Sequence, residues 1–271
     1  MPETQVADIS IYYETHGEGD PLVLIMGLGG GSSLWWRQVA FFSPEYQVIT
    51  FDSRGVGRSE KPDTPYSMDM LVDDAAGLME TLGIASAHVY GVSMGGMVAQ
   101  ELALRHPKLV SSLVLGATTC GGRHAVMADQ DTLQRLFSIM TLSPAEVVKV
   151  STSVTFSAGF IESHRDRVKE WLLKGAESPP SSTGFKRQAE AVARFETYDR
   201  LPQIRVPTLI LAGTADQLIP VENSRLLASR ISGAELVLFE GAGHGYLWEA
   251  EEEANRVVFD FLRRHPIPPG S

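Results

Sequence analysis

Gly91-Val92-Ser93-Met94-Gly95 follows the apolar run Ala87-His88-Val89-Tyr90 and precedes the helix-like run Met97-Val98-Ala99-Gln100-Glu101-Leu102-Ala103. A chain that leaves a strand and enters a helix within five residues must turn sharply. A serine at the centre stands at the tip of that turn, with a helix N-terminus beneath its hydroxyl. Any Cβ at 91 or 95 would press on the crowded turn, and glycine at 96 lets the helix lie close to the sheet. Ser93 is therefore the candidate nucleophile. The alternative is a phosphate-holding loop, but such a loop places a lysine after its glycines, and none follows here.

Outward from this pentad, short apolar runs at 21–26, 48–51, 87–90, 112–115, 208–211 and 236–239 alternate with helix-like segments. That is the pattern of a mostly parallel sheet covered on both faces. Residues 6–14 alternate as an antiparallel pair, completing an eight-stranded α/β sheet. The inner strands end on Gly27, Asp52, Ser93, Gly116, Gly213 and Glu240, at the edge where open α/β sheets bind ligands. Ser67 is placed to cap a helix with Leu71, Ala75, Leu78 and Leu82 on its apolar side and Gly83 at its end. A last helix carries Ala254, Val257, Val258 and Phe261 on one side and Glu251, Glu252 and Glu253 in its first turn, where acids favour the helix dipole.

Between about 121 and 200 the alternation stops and helical patterns run on without a strand. The expected division is a core of residues 1–120 and 201–271 and a helical insertion of residues 121–200 lying over the strand ends. At 271 residues, 44% hydrophobic and 21% charged, the chain is long enough for one such domain. Its net charge of −10 excludes nucleic acid and anionic membrane as partners, since both call for clustered Lys and Arg. Cys120 is the only cysteine, so no internal disulfide forms; its loop context suits a small packed residue better than a catalytic thiol. Met1-Pro2-Glu3-Thr4 has neither the basic start nor the apolar stretch of a signal peptide, and no run has the length to span a bilayer. The expected location is the cytoplasm. Monomer and homodimer both remain open.

A serine hydroxyl needs a base within hydrogen-bond reach and an acid to orient that base. The strand at 208–211 leads into Ala212-Gly213-Thr214-Ala215-Asp216, and the strand at 236–239 into Glu240-Gly241-Ala242-Gly243-His244-Gly245. Both loops fall at the same edge as Ser93, in the chain order serine, acid, histidine. Of the seven histidines only His244 follows a strand into a glycine-rich loop. Asp216 is preferred over Asp52, Asp199 and Glu240, because the strand after the nucleophile helix ends in Gly116-Ala117-Thr118-Thr119, without a carboxylate.

An oxyanion needs two backbone donors, assigned to Met94, at the helix start, and Leu28, in Met26-Gly27-Leu28-Gly29-Gly30-Gly31-Ser32-Ser33. A dinucleotide loop would need glycine spacing that this stretch lacks. The turn from Asp52 to Pro62 is read as a buried Asp–Arg lock rather than a substrate site. The histidines lack metal-ligand spacing, and the chemistry needs neither metal nor cofactor. Gly27, Trp35, Phe137, Met140 and Trp171 are the candidate substrate contacts. For the aromatic and methionine residues the plainer reading is packing within the insertion or, at Trp35, anchoring of a helix.

Together these residues resemble the α/β-hydrolase superfamily, in its esterase, lactonase and C–C-hydrolase branch. The resemblance covers the leading strand pair, the Met26-Gly27-Leu28-Gly29 loop, the Asp52-x-Arg54-Gly55-x-Gly57-x-Ser59 turn, the Gly91-x-Ser93-x-Gly95 elbow and the Asp216 and His244 loops. It implies an α/β-hydrolase fold in which the insertion is a cap enclosing an acyl pocket. Serine at 93 argues against the dehalogenases and epoxide hydrolases, which resemble this chain but use aspartate there. One departure is Met26, where the family often has histidine ahead of the oxyanion-loop glycine. The activity implied is hydrolysis of small to medium, largely apolar carboxylic esters through Ser93, His244 and Asp216 and an acyl-enzyme. Alternatives are lactone hydrolysis (enol-lactones or N-acyl-homoserine lactones), C–C hydrolysis and perhydrolysis. A reading of another class is a ligand-binding or signalling protein that keeps the hydrolase pocket.

Overall fold

In a computed structural model, which describes residues 3–139 and 141–268, the apolar runs become β1 (Glu3–Val6), β2 (Ile9–His16), β3 (Asp20–Ile25), β4 (Tyr46–Phe51), β5 (Ala87–Val92), β6 (Val110–Gly116), β7 (Thr208–Gly213) and β8 (Glu235–Phe239). They form one eight-stranded sheet in the order β1-β2-β4-β3-β5-β6-β7-β8. The β1–β2 hairpin and the β2–β4 pair are antiparallel, and every pair from β4 through β8 is parallel.

The uninterrupted apolarity of the inner strands follows from burial on both faces. Successive side chains point to opposite sides. Val23, Ile25 and Val89 therefore enter a core with α2 (Met68–Thr81) and α3 (Met94–Arg105), while Leu22, Leu24 and Tyr90 enter a second core. The second core is closed by α1 (Trp36–Phe42) and, further along the chain, α11 (Glu251–Arg264). Each such buried aliphatic side chain contributes roughly 1.5–3 kcal/mol of transfer free energy. The Ser67 hydroxyl accepts the Met70 N–H at the start of α2, and Gly83, at φ +70°, ends it.

Between β6 and β7 lie α4 (Gln130–Ser138), α5 (Pro144–Thr155), α6 (Ala158–Ser163), α7 (Arg165–Gly175) and α8 (Ser182–Val192). After β7 come α9 (Glu222–Arg230), β8, the short α10 (Tyr246–Glu249) and α11. Backbone bonds tie the segment between β6 and β7 to loops beyond the strand ends: Gly57 N–H to the Pro179 carbonyl at 3.0 Å, Gly245 N–H to Thr155 at 2.6 Å and Thr197 N–H to Cys120 at 2.8 Å. No helix among the described residues is long and apolar enough to cross a membrane.

The turn after β4 holds an Asp–Arg pair, Asp52 with the Arg58 side chain at 3.4 Å. Asp52 accepts from the Ser32 N–H and hydroxyl, each at 2.7 Å, and from the Arg58 N–H at 2.8 Å. Arg54 instead reaches α2, bonding both carboxylate oxygens of Asp74 at 2.5 and 2.7 Å. Cys120 is fully buried, and burial pushes its thiol pKa up, away from a reactive thiolate.

Candidate active site

Ser93 lies between β5 and α3 with φ +57° and ψ −121°, a conformation that an L-residue adopts at a cost. Its carbonyl is pinned by the Thr118 hydroxyl at 2.7 Å and by the Gly96 and Met97 amides at 2.9 and 3.2 Å. The glycines are required by space. A Cβ at Gly91 would lie 2.2 Å from the Gly95 carbonyl oxygen, and one at Gly95 would lie 2.0 Å from that of Ile25. One at Gly96 would meet the Thr118 side chain at 2.6 Å.

Strand-end glycines make room for the other loops. A Cβ at Gly213 would lie 2.2 Å from the Ala242 carbonyl oxygen, and one at Gly116 would lie 2.1 Å from the Tyr246 hydroxyl. That hydroxyl bonds the buried Tyr90 hydroxyl at 2.7 Å, fastening the chain two residues after His244 to β5.

Asp216 and His244 meet: Asp216 Oδ2 lies 2.8 Å from His244 Nδ1, and Asp216 Oδ1 accepts the Leu218 and Ile219 amides. The Asp216 carboxylate is fully buried and the imidazole nearly so. Of the competing acids, Asp52 is occupied in its own turn and Glu240 is exposed.

His244 and Ser93 line one cavity of about 410 Å³, together with Gly27, Leu28, Met94 and Trp171. Its walls are otherwise mainly aliphatic and aromatic, with Ser151 and Thr155 among them, and among the described residues no Asp, Glu, Lys or Arg lines it. Gly27 abuts the serine: a Cβ there would stand 3.0 Å from Ser93 Cβ. Among the described residues the Leu28 and Met94 amides have no acceptor, whereas the Gly29 and Gly30 amides are committed to Gln188 and to the Gly27 carbonyl.

Two expected substrate contacts change. Trp35 is fully buried, its ring 5.2 Å from that of Tyr90, and Leu34 lines the cavity in its place. The 3₁₀ turn Ser32–Trp35 explains this, since neighbouring residues on it point about 120° apart. Phe137 is 47% exposed, while Leu136 and Ile139 of the same segment line the cavity; one step along a helix turns a side chain by about 100°. Met140 lies outside the described residues.

Several residues that line or brace the cavity escaped the sequence reading. Leu218 and Ile219 line the cavity immediately after the acid, a location that the Asp216 loop itself signals. Trp248, one turn beyond His244, lines it too and packs 5.7 Å from Trp171. Glu249 accepts the Gly243 N–H, the Ser157 N–H and the Ser157 hydroxyl, joining the His244 loop to the start of α6. No local pattern marks that link.

A family model described as alpha/beta hydrolase fold matches residues 20–251. A protein provisionally assigned as a carbamate hydrolase, RutD of Azorhizobium caulinodans, is 29% identical over 96% of this chain and 98% of its own. The crystal structure of the enol-lactonase from Burkholderia xenovorans superposes with a TM-score of 0.86 at 29% identity, covering 97% of this chain and 100% of that one. An esterase from Exiguobacterium antarcticum gives 0.86 at 25% identity, covering 96% and 98%.

Proposed function

Because the chain belongs to the α/β-hydrolase fold family, we propose that it hydrolyses small to medium, uncharged carboxylic esters through a serine acyl-enzyme. What carries the proposal is the shared cavity, onto which Ser93 and His244 both open while Asp216 holds the imidazole from behind. His244 takes the proton from Ser93 Oγ as that oxygen attacks the ester carbonyl. The Leu28 and Met94 amides receive the oxyanion. The imidazolium, steadied by Asp216, then protonates the leaving alcohol, and His244 activates the water that releases the acid. Residues 1–120 and 201–271 serve as the catalytic core and residues 121–200 as its cap, which supplies Trp171 and the aliphatic walls of the acyl site.

Likeness to an enol-lactonase supports neutral lactones as a second substrate class, with the same groups opening the ring. A free carboxylate on the acyl chain is disfavoured, because no cation lines the cavity to replace its hydration. The test is turnover of p-nitrophenyl esters and neutral lactones by wild type and Ser93→Ala, with organophosphate labelling of Ser93. Loss of turnover and labelling in a folded variant supports the proposal; an unchanged rate overturns it. Stoichiometric labelling without multiple turnover of either substrate class would instead identify a ligand-binding protein.

A further inference from the structure

The loop that carries the Leu28 amide contains Gly27, Gly29, Gly30 and Gly31, so it holds little conformational preference of its own. One internal bond closes it, Gly30 N–H to the Gly27 carbonyl at 3.0 Å. The residue ahead of Gly27 is Met26, whose thioether is only a weak acceptor.

Gln188, on α8, reaches this loop across 159 residues of sequence. Its Oε1 accepts the Gly29 N–H at 2.9 Å and its Nε2 donates to the Arg54 carbonyl at 2.9 Å. The side chain is fully buried. Its orientation is fixed by chemistry, since the amide oxygen must meet the donor and the amide nitrogen the acceptor. The helix behind it is docked hard. A Cβ at Gly184 would lie 2.1 Å from the Gly55 carbonyl oxygen, and Ser181 N–H donates to that same oxygen at 3.2 Å. Phe185 covers Gly29, where an added Cβ would come within 2.8 Å of the ring.

Gly29 N–H belongs to the peptide plane joining Leu28 to Gly29. Holding that rigid plane leaves only the two Leu28 torsions between it and the neighbouring plane, one Cα away, that carries the Leu28 N–H. We infer that Gln188 is a positioning residue for the oxyanion loop, orienting the Leu28 donor from the inserted helices without touching substrate. This rests on the ester-hydrolase proposal above.

The test is Gln188→Met, which keeps the volume and removes both bonds, read beside wild type on a p-nitrophenyl ester. A trifluoromethyl ketone of matching chain length, which adds to the serine hydroxyl and presents an oxyanion, reports on the loop; the matching alcohol reports on the rest of the pocket. The expected result is a fall in kcat of about 10- to 100-fold, less than the cost of deleting an oxyanion donor outright. KM should shift little, ketone affinity should fall in step with kcat/KM, and alcohol binding should hold. A folded variant with wild-type kcat and ketone affinity overturns the inference, as does an equal loss of ketone and alcohol binding. Should Gln188→Met fail to fold, Gln188→Leu, which likewise removes the acceptor for the Gly29 N–H, is read by the same criteria. Failure of the underlying proposal looks different: wild type itself would neither turn over the ester nor bind the ketone at Ser93, and the inference would fall with it.

Discussion

Asp216 presents one carboxylate oxygen to His244 Nδ1 at 2.8 Å and gives the other to two backbone amides of its own loop, Leu218 and Ile219, also at 2.8 Å. The carboxylate is thus held by its own loop as well as by the imidazole. This arrangement makes the imidazole tautomer a property of the loop: Nδ1 carries the proton and Nε2 is left to accept one.

Asp216→Asn retains the shape but can present an amide N–H to Nδ1, favouring the wrong tautomer. The expected result is a fall in kcat of roughly 10³- to 10⁴-fold with little change in KM, measured on p-nitrophenyl esters. A loss under tenfold would remove Asp216 from the relay.

Ser93 sits at φ +57°, where glycine is at ease and other residues are strained. Ser93→Gly should therefore be more stable than Ser93→Ala by about 1 kcal/mol in urea denaturation, with neither variant turning over ester. Equal stabilities would show that the elbow stores no strain at this residue.

Glu249 gathers three donors from two segments. Glu249→Ala leaves them without their acceptor and should cost about 2 kcal/mol of stability, while lowering kcat/KM through displacement of His244. The two readouts are chemical denaturation and steady-state kinetics. Unchanged values in both would mean that the contact between the His244 loop and α6 is energetically idle.

The uncharged cavity predicts selectivity by charge. A p-nitrophenyl hexanoate should be hydrolysed at least about 100-fold better, in kcat/KM, than the adipate monoester of similar length, since the latter must bury a carboxylate without a cationic partner. Comparable rates would require a cation within reach of the acyl end.

His88 is fully buried on β5, bonded through Nδ1 to the Ser112 hydroxyl at 2.7 Å, and burial lowers its pKa from 6.5 to about 4. The folded state therefore keeps it neutral where the unfolded chain already binds a proton. Its contribution is complete above pH 6.5 and is lost as pH falls from there toward 4. The size is about 3 kcal/mol, from 1.36 kcal/mol per unit of pKa difference. Thermal melts of His88→Leu should lose that part of the acid sensitivity; a pH profile parallel to wild type would remove His88 as its source.

Much of the fold was legible because its signals are local. Unbroken apolar runs, as at Val89 and Tyr90, and caps such as Ser67 and Gly83 depend on neighbours within a few residues. The strand ends carrying Ser93, Asp216 and His244 could be named for the same reason. Trp35 and Phe137 were misassigned because the side of a helix that faces a cavity depends on how the whole element is rotated, and a single residue step changes the direction by about 100° on an α-helix and about 120° on a 3₁₀ turn.

By itself, then, the sequence determined the order of strands and helices, the strained elbow and the three loops that come to one edge, since backbone geometry and hydrophobic period are encoded residue by residue. Tertiary structure alone decided which apolar side chains form the cavity wall, that Gln188 grips Gly29, and that Glu249 binds Ser157. Those contacts join residues 92 to 159 positions apart. Their geometry is set by how helices pack on a sheet, a balance of shape and burial over the whole molecule that no short window of sequence contains.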